Sequence, residues 1–475
     1  MIILSVSTAL YLLAVAFRVP FITGTPEYSW SFRDHFYPAG LWITLATAAI
    51  YLGASMWALC GKARVWRKLA AIVIAGVIFQ LGIFAMNRDG MGAFVKRVYG
   101  YVANSYFIDA ARIKDLRGTI EHYDAVLPKL GAHSSTHPPG TLLFFWSFVR
   151  CVQWFPPEAG NFAVGHSHQA QMATQANPNI GPSEALAAWL TGIFIMVGGI
   201  VGAILAFLLG KAVYGEEAGI MAAAIWAVIP AMVIHTPIID QIYALINVAG
   251  VYLMWVALSR RSWPLALASG LLGSLGLFMT YAFQAFPFLI LLLFILKVRR
   301  DKASGIPWTL RQIALVGGAY AAGQSVVVAL FLSFWGFTGT IKVWETGRIL
   351  RDIVKNIVGR KTTWMWMVFD PYEFMAWLAL PVGALFLLRA YRSLKTWRHP
   401  DEGGVFAIAV SCWLALIFLS GQTMYEAGRT LLFASPLAVI IGVGEAREKT
   451  DRPWFIAGIL ALVLASTIVF AALFF

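Results

Sequence analysis

The sequence predicts an all-α protein that crosses a membrane many times. Of its 475 residues, 60% are hydrophobic and 12% are charged, whereas soluble domains carry about 25% charged residues. The apolar residues form runs long enough to cross the hydrocarbon core of a bilayer, which is about 30 Å thick. Short basic segments separate many of these runs, as they do on the cytoplasmic side of membrane proteins. These patterns exclude an ordinary soluble domain.

The apolar runs predict about thirteen membrane-spanning helices. The first, over residues 1–16, lacks the basic start and the cleavage motif of a secretory signal, so we interpret it as a span. The run 141–155 is short and contains Arg150, which favours an interfacial or re-entrant helix. The other predicted spans are 38–60, 68–86, 183–210, 217–236, 241–258, 263–280, 282–297, 310–335, 373–389, 404–420, 429–445 and 453–475.

Clusters of lysine and arginine predict the orientation of a multi-pass protein in the inner, cytoplasmic membrane. Positive charge accumulates on the cytoplasmic side, so the alternate loops face the periplasm or exterior. Basic loops also contact anionic headgroups, so the net charge of +13 indicates membrane lipids rather than nucleic acid as partners. The predicted cytoplasmic loops are 61–68, 259–261, 297–302, 389–398 and 445–452, and the predicted outward loops are 18–37, 87–140, 237–240, 336–372 and 421–428.

A rigid corner closes the longest polar interval of the chain. It reads His133-Ser-Ser-Thr-His137-Pro-Pro-Gly140. Two consecutive prolines fix φ and lack N–H donors, and Gly140 lets the backbone approach another surface closely. We therefore predict that His137 is held in a fixed geometry beside the membrane. His133 and His137, or His166 and His168, have a spacing that two metal ligands can have, but neither pair has a clear third ligand.

The segment 104–124 carries apolar residues at helical spacing, which predicts an amphipathic surface helix. Its candidate site residues are Tyr106, Asp109 and Asp115. The alternative is a charged face that only contacts water.

Asp240 stands at the junction of two apolar runs, after a Thr-Pro turn. A carboxylate at the edge of a membrane segment is costly without a partner, which indicates function. The alternative is that Asp240 only caps the following helix.

Two outward segments are basic, against the orientation rule, and we predict that they bind phosphate, which suits the guanidinium geometry. Contact with lipid headgroups is the alternative for the first segment. A self-neutralising Arg–Glu pair is the alternative for the second, which precedes the span 429–445. The first segment contains Arg348, Arg351, Arg360 and Lys361, and the second contains Glu426 and Arg429.

The His-Pro-Pro-Gly corner, the acid-bearing segment before it, Asp240 and the late Glu-x-x-Arg together resemble the GT-C superfamily of integral-membrane glycosyltransferases. The likeness covers most of residues 69–445 and is nearest to the prokaryotic RgtA/B/C/D-like members, relatives of protein O-mannosyltransferases and aminoarabinose transferases. It implies a GT-C-like catalytic core at 67–445 with juxtamembrane helices in its outward loop. Residues 1–66 are then an additional transmembrane pair, and 446–475 form a C-terminal transmembrane helix.

The resemblance implies transfer of a sugar from a polyprenyl-phosphate donor to a lipid, glycan or protein acceptor at the outer face of the membrane. It implies no cofactor beyond, at most, a divalent metal ion. In relatives, a carboxylate of the first large outward loop acts as base. Here Asn104-Ser105 replaces the usual acidic pair, so Asp109 becomes the predicted base, with His137 orienting the loop or the acceptor.

Arg429 and the cations of 348–361 would then hold the departing phosphate, and Asp34 and Asp240 are the alternative bases. A lipid-linked sugar flippase or transporter, and a glycan polymerase or ligase, are the alternative functions. A transporter is expected to show internal symmetry and a central polar pathway, whereas a transferase gathers its polar residues at one face.

Overall fold

The computed structural model describes residues 1–24, 30, 32, 35–165, 180–357, 363–421, 426–450 and 452–474. All its regular elements are helices, so the predicted all-α polytopic class is confirmed. The helices are α1 Ile2–Ala16, α2 Gly40–Cys60, α3 Val65–Phe84, α4 Met91–Tyr99, α5 Tyr101–Arg112, α6 Leu116–Glu121, α7 Tyr123–Val126, α8 Pro139–Cys151, α9 Pro157–Gly165, α10 Pro182–Tyr214, α11 Glu216–Trp226, α12 Pro230–Ile234, α13 Asp240–Arg260, α14 Trp263–Met279, α15 Phe286–Ala303, α16 Leu310–Ile357, α17 Thr363–Trp377, α18 Leu380–Lys395, α19 Glu402–Leu419, α20 Ala427–Thr430, α21 Ser435–Lys449 and α22 Pro453–Phe474.

Within these described ranges, 8 helices are long and apolar enough to cross a membrane, and one bent pair would make 9. The predicted number of about thirteen is therefore not confirmed. The candidate spans are Gly40–Cys60, Val65–Phe84, Pro182–Tyr214, Asp240–Arg260, Tyr281–Ala303, Leu310–Ile353, Glu402–Leu419 and Trp454–Phe474.

Short breaks divide three of the predicted spans into pairs of shorter helices. Each second helix has proline in its first two positions, where the missing N–H has no helical partner to lose. In the interior of one continuous helix the same proline would remove a hydrogen bond. The bend between α17 and α18 is 119°. The breaks precede Pro230 in 217–236, Pro381 in 373–389 and Pro436 in 429–445.

Two predicted outward loops contain helices. In 336–372, α16 continues past a kink at Gly336, where φ is 63°, and ends at Ile357. Arg348 and Arg351 therefore lie on a helix instead of a loop. The segment 104–124, predicted as one amphipathic helix, is divided into α5, α6 and α7. Extended Ile113 and Asp115 separate α5 from α6, and non-helical His122 separates α6 from α7.

Charged residues gather at the two ends of α13, which begins at Asp240 and ends at Arg260. Its 21 residues extend about 30 Å at 1.5 Å per residue. At the Arg260 end, Lys297 lies over the Trp255 ring, 6.0 Å from its centroid, and pairs with Glu402 at 2.7 Å. Lys297 and Glu402 border loops that the sequence predicts to be cytoplasmic. Asp240 itself, a predicted site residue, begins the other end. Residues beside the predicted cytoplasmic loops and a residue of the predicted outward site therefore lie at opposite ends of α13.

The apolar run 141–155 forms α8, whose 13 residues extend only about 20 Å. This length is too short to cross a bilayer and fits the predicted interfacial or re-entrant helix. At its start, Gly140 lies against the backbone of α14, because a Cβ at Gly140 would lie 2.3 Å from the carbonyl oxygen of Phe278. The close approach predicted for this glycine is confirmed.

We expect Gly140→Ala to lower the free energy of unfolding by about 1–3 kcal/mol, because the clash with Phe278 involves backbone, which moves less easily than a side chain. Gly53→Ala is the matched control, since a Cβ at Gly53 meets nothing within 4 Å. Thermal unfolding of both variants in detergent measures the difference. Equal unfolding temperatures for the two variants would contradict the close approach.

Candidate active site

Asp109 holds the turn that carries the histidines. Its side chain lies on α5, is 3% exposed, and accepts the N–H of Gly131 at 2.9 Å through Oδ2. Oδ1 is 4.0 Å from Nη1 of Arg112. The turn is compact, because the N–H of Ser135 donates to the carbonyl of Gly131 at 2.9 Å. One carboxylate oxygen is therefore committed to positioning the turn 131–137.

The imidazole of His137 is fixed in one tautomer. Nδ1 lies 2.8 Å from the carbonyl oxygen of His133, and a carbonyl only accepts, so Nδ1 carries the proton and Nε2 is an acceptor. The ring meets Tyr106 edge-on, with centroids 5.4 Å apart. The carbonyl of His137 accepts the hydroxyl of Tyr123 at 3.1 Å. This geometry suits a residue that orients a hydroxyl group by accepting its proton in a hydrogen bond.

Burial lowers the pKa of His137 to about 4, although its hydrogen bond to His133 acts in the opposite direction. The charges of His133, Arg429 and Arg351 lower the pKa further. His137 is therefore neutral at pH 7. Both guanidinium groups therefore interact electrostatically with this imidazole, although they come from separate segments.

We expect stability to depend on the titration of His137. The folded pKa of about 4 lies below the unfolded value of 6.5, so the unfolded chain binds the proton more tightly. The contribution is fully present above pH 6.5 and is lost as the pH falls toward 4. Unfolding temperatures of the wild type and His137→Gln, measured across this range, should converge as the pH falls. Parallel curves would contradict the buried, neutral imidazole.

Asp240 is the first residue of α13. Ile239 is the N-cap, so Asp240 lies one position inside the helix. Arg97 of α4 donates to the carbonyls of Ile234 and Thr236, at 2.8 Å for Thr236, and holds the turn before it. Asp240 is partly exposed. Its carboxylate is therefore available to a ligand.

Tyr243, one turn after Asp240, links α13 to α8. Its hydroxyl lies 2.6 Å from Oγ1 of Thr141, which donates to the carbonyl of Met279 at 2.8 Å. Because the Thr141 proton is used there, the Tyr243 hydroxyl donates to Thr141. Tyr243 and Asp240 lie three residues apart on α13. The sequence analysis missed this tyrosine, although its i+3 spacing from Asp240 places the two side chains on one helix face.

Arg429 faces two carboxylates. Nη2 pairs with Glu426 at 2.8 Å, and the side chains are 17% and 40% exposed. The guanidinium charge also interacts with Asp240. Nε is buried and has no hydrogen-bond partner among the described residues. The predicted position at the start of a span is corrected, because Arg429 lies in α20, which has 4 residues, and the long helix begins at Ser435.

Glu373 of α17 positions α20 and was not predicted. It is 4% exposed, and its Oε2 accepts the N–H of Ala427 at 3.1 Å. Gly428 lies against the indole of Trp377, since a Cβ there would lie 2.2 Å from the ring. A carboxylate within the apolar run 364–377 was the signal in the sequence, because such residues are costly without a function.

The structure thus gathers part of the predicted site. The rings of His133 and His137 lie against Tyr106, and Arg429 pairs with Glu426 and interacts electrostatically with Asp240 and His137. We call this set of residues the Arg429 cluster, and Arg351 also interacts electrostatically with its imidazole. Asp109 lies behind the turn 131–137. Arg348 is exposed, and Asp115 caps α6 by accepting the N–H of Gly118 at 3.0 Å. The predicted residues outside the described ranges are Asp34, His166, His168, Arg360 and Lys361.

Within the described part of the chain, no group of three or more His, Cys, Asp or Glu side chains is placed to hold a metal ion. The His133–His137 pair is used differently, because Nδ1 of His137 binds the backbone of His133.

No protein-family model and no curated protein matches the chain. Among solved structures, the chain is similar to the Archaeoglobus fulgidus oligosaccharyltransferase, in its crystal structure with zinc and sulfate. The two sequences are 14% identical, and the TM-score is 0.34. The similarity covers 64% of this chain and 43% of that chain, so it spans less than half of the archaeal protein.

Proposed function

We propose that the protein is a membrane glycosyltransferase that moves a sugar from a polyprenyl-phosphate donor to an acceptor at the outer face of the cytoplasmic membrane. The observation that supports this most strongly is the Arg429 cluster. There a largely buried guanidinium interacts electrostatically with a partly exposed carboxylate, Asp240, and with a neutral imidazole, His137, although the three residues come from distant segments. A phosphate-binding group beside a candidate base is what this transfer requires.

Arg429 binds the phosphate of the donor in this proposal. Among the described residues its Nε–H has no hydrogen-bond partner, and Glu426 is exposed enough to turn away when a phosphate arrives. Arg351 of α16 supplies a second positive charge. This charge also lowers the pKa of His137. Two guanidinium groups stabilise the charge that develops on a departing phosphate, in a site partly shielded from water.

Asp240 is the base that the geometry favours. The acceptor hydroxyl attacks the anomeric carbon of the donor, its proton passes to Asp240, and the bond between that carbon and the phosphate oxygen breaks. The electron pair leaves with the polyprenyl phosphate, held by Arg429. His137 accepts a hydrogen bond from the acceptor through Nε2 and so orients it. Asp109, the base predicted from the sequence, has one oxygen committed to Gly131 and becomes a positioning residue here.

A transporter is less well supported. The middle of α21, residues 437–443, is apolar apart from one glycine. Its apolar side chains are at most 1% exposed, so this described stretch offers no polar surface. A lipid-linked sugar flippase needs a polar pathway for the headgroup between the faces of the membrane.

The test is transfer by the purified protein from a panel of polyprenyl-phosphate sugars to lipid, glycan and peptide acceptors. We expect release of polyprenyl phosphate with one donor, and loss of release in Arg429→Gln. Parallel reactions with EDTA measure the metal dependence. Movement of intact donor across vesicle membranes without its cleavage would support the flippase instead.

A further inference from the structure

A cavity of about 550 Å³ adjoins the turn 131–137. Asp109 lies in its wall and accepts the N–H of Gly131, the first residue of the turn. Leu130, the last residue before the turn, also lines the cavity, as do residues of α6 and α7. His137 of the Arg429 cluster stands at the other end of the same turn, so the turn connects the cavity to the cluster. The cavity is large enough for a sugar ring with a charged substituent.

Three cations line this cavity: Arg112, Lys114 and Lys129. The two lysines are exposed and form no ion pair within the described part of the chain. Cations outnumber carboxylates in the lining, and both carboxylates already accept backbone N–H groups, Asp109 from Gly131 and Asp115 from Gly118. The cavity therefore favours a ligand with a negative charge.

The carboxylate of Asp109 favours a ligand that also donates hydrogen bonds. Its Oδ1 is 4.0 Å from Arg112, which leaves room for a closer donor such as a sugar hydroxyl. A bare anion would be repelled by this carboxylate, whereas a hydroxylated anion satisfies both Asp109 and the lysines. Buried carboxylate and exposed cations together therefore select an acidic sugar over inorganic phosphate.

We propose that this cavity holds an acidic sugar of the acceptor, with hydroxyl groups toward Asp109 and its phosphate or carboxylate against Lys114 and Lys129. The inference rests on the proposed transferase function. The reacting hydroxyl extends past the turn 131–137 to His137. Binding energy from this remote group then orients the acceptor and lowers the barrier at the reacting centre.

The test is a titration of the full-length protein, in neutral detergent, with glucose 6-phosphate, glucuronate, glucose and inorganic phosphate, followed by calorimetry. We expect the two acidic sugars to bind more tightly than glucose or phosphate. In Lys114→Gln/Lys129→Gln their affinity should fall about tenfold, because two charge-assisted contacts are lost. Arg117→Gln is the matched control, since Arg117 is a nearby exposed cation of α6 outside the cavity lining. The affinity of Arg117→Gln for the two acidic sugars should remain unchanged.

Equal losses of affinity for the acidic sugars in the double variant and in Arg117→Gln would overturn the proposal. So would a titration that does not saturate by about 10 mM sugar. A repeat in nanodiscs separates a sugar from a lipid headgroup. If anionic phospholipid, but not neutral phospholipid, abolishes sugar binding, the cations hold a headgroup and the sugar assignment is wrong. Arg429→Lys should leave this binding intact, so failure of the transferase proposal and failure of this one are distinguishable.

Discussion

Asp240→Asn is expected to reduce kcat for sugar transfer by about 10²–10⁴, the range that general-base catalysis contributes. The substitution keeps the shape of the side chain and removes its ability to take the acceptor proton. Arg429 retains Glu426 as an ion-pair partner at 2.8 Å, so its positive charge is not left unpaired. Donor affinity should change little, because only an interaction of the transition state is lost. Initial rates and donor titrations on the same preparation measure the two effects separately.

Asp109→Asn is the matched comparison. Asparagine keeps an oxygen that can accept the N–H of Gly131, so the turn 131–137 should survive and kcat should fall by less than about tenfold. Asp240→Glu should recover part of the activity, since it restores a carboxylate. If Asp109→Asn loses more activity than Asp240→Asn, Asp109 is the base, as the sequence analysis predicted, and Asp240 becomes an electrostatic partner of Arg429.

Much of the fold follows from the sequence because long apolar runs have few alternatives in a membrane. The runs that became α2, α3, α10 and α13 needed only length and composition. The interrupted spans needed more. In 217–236 the apolar run is continuous in composition, and Pro230 is compatible with either a kinked helix or a new one. Tertiary contacts decide between these outcomes, since α11 from Ala218 onward and all of α12 are buried.

The site was only partly predictable for a different reason. Composition singled out Asp240 and Arg429, because isolated charges at the edges of apolar runs are costly. The base was assigned to Asp109 by its place in the outward loop, and nothing in the sequence indicates that its carboxylate holds Gly131. Glu373 had a signal in its apolar surroundings, but its role was hidden in the same way, because its partner is a backbone N–H of Ala427. Contacts between a side chain and a distant backbone leave no pattern in one sequence.

Arg429→Lys is expected to weaken binding of the polyprenyl-phosphate donor by about tenfold, which corresponds to about 1.4 kcal/mol. Lysine keeps the positive charge but loses the planar fork that binds two phosphate oxygens at once. It also loses the Nε–H that has no partner within the described residues. Binding of donor lipid to protein in nanodiscs gives the affinity directly, without the need for an acceptor.

Glu426→Gln separates a phosphate site from a pair that only neutralises itself. At a phosphate site, loss of the competing carboxylate should tighten donor binding, because Arg429 no longer exchanges one anion for another. The surface pair Arg117–Glu121 is the matched control. Its atoms are 2.7 Å apart, but its arginine is 88% exposed, against 17% for Arg429. Exposed pairs contribute about 0–1 kcal/mol, so Arg117→Lys should leave donor affinity unchanged. If Arg429→Lys also leaves donor affinity unchanged, Arg429 does not bind the donor phosphate. The proposed function then loses the phosphate-binding group on which it depends.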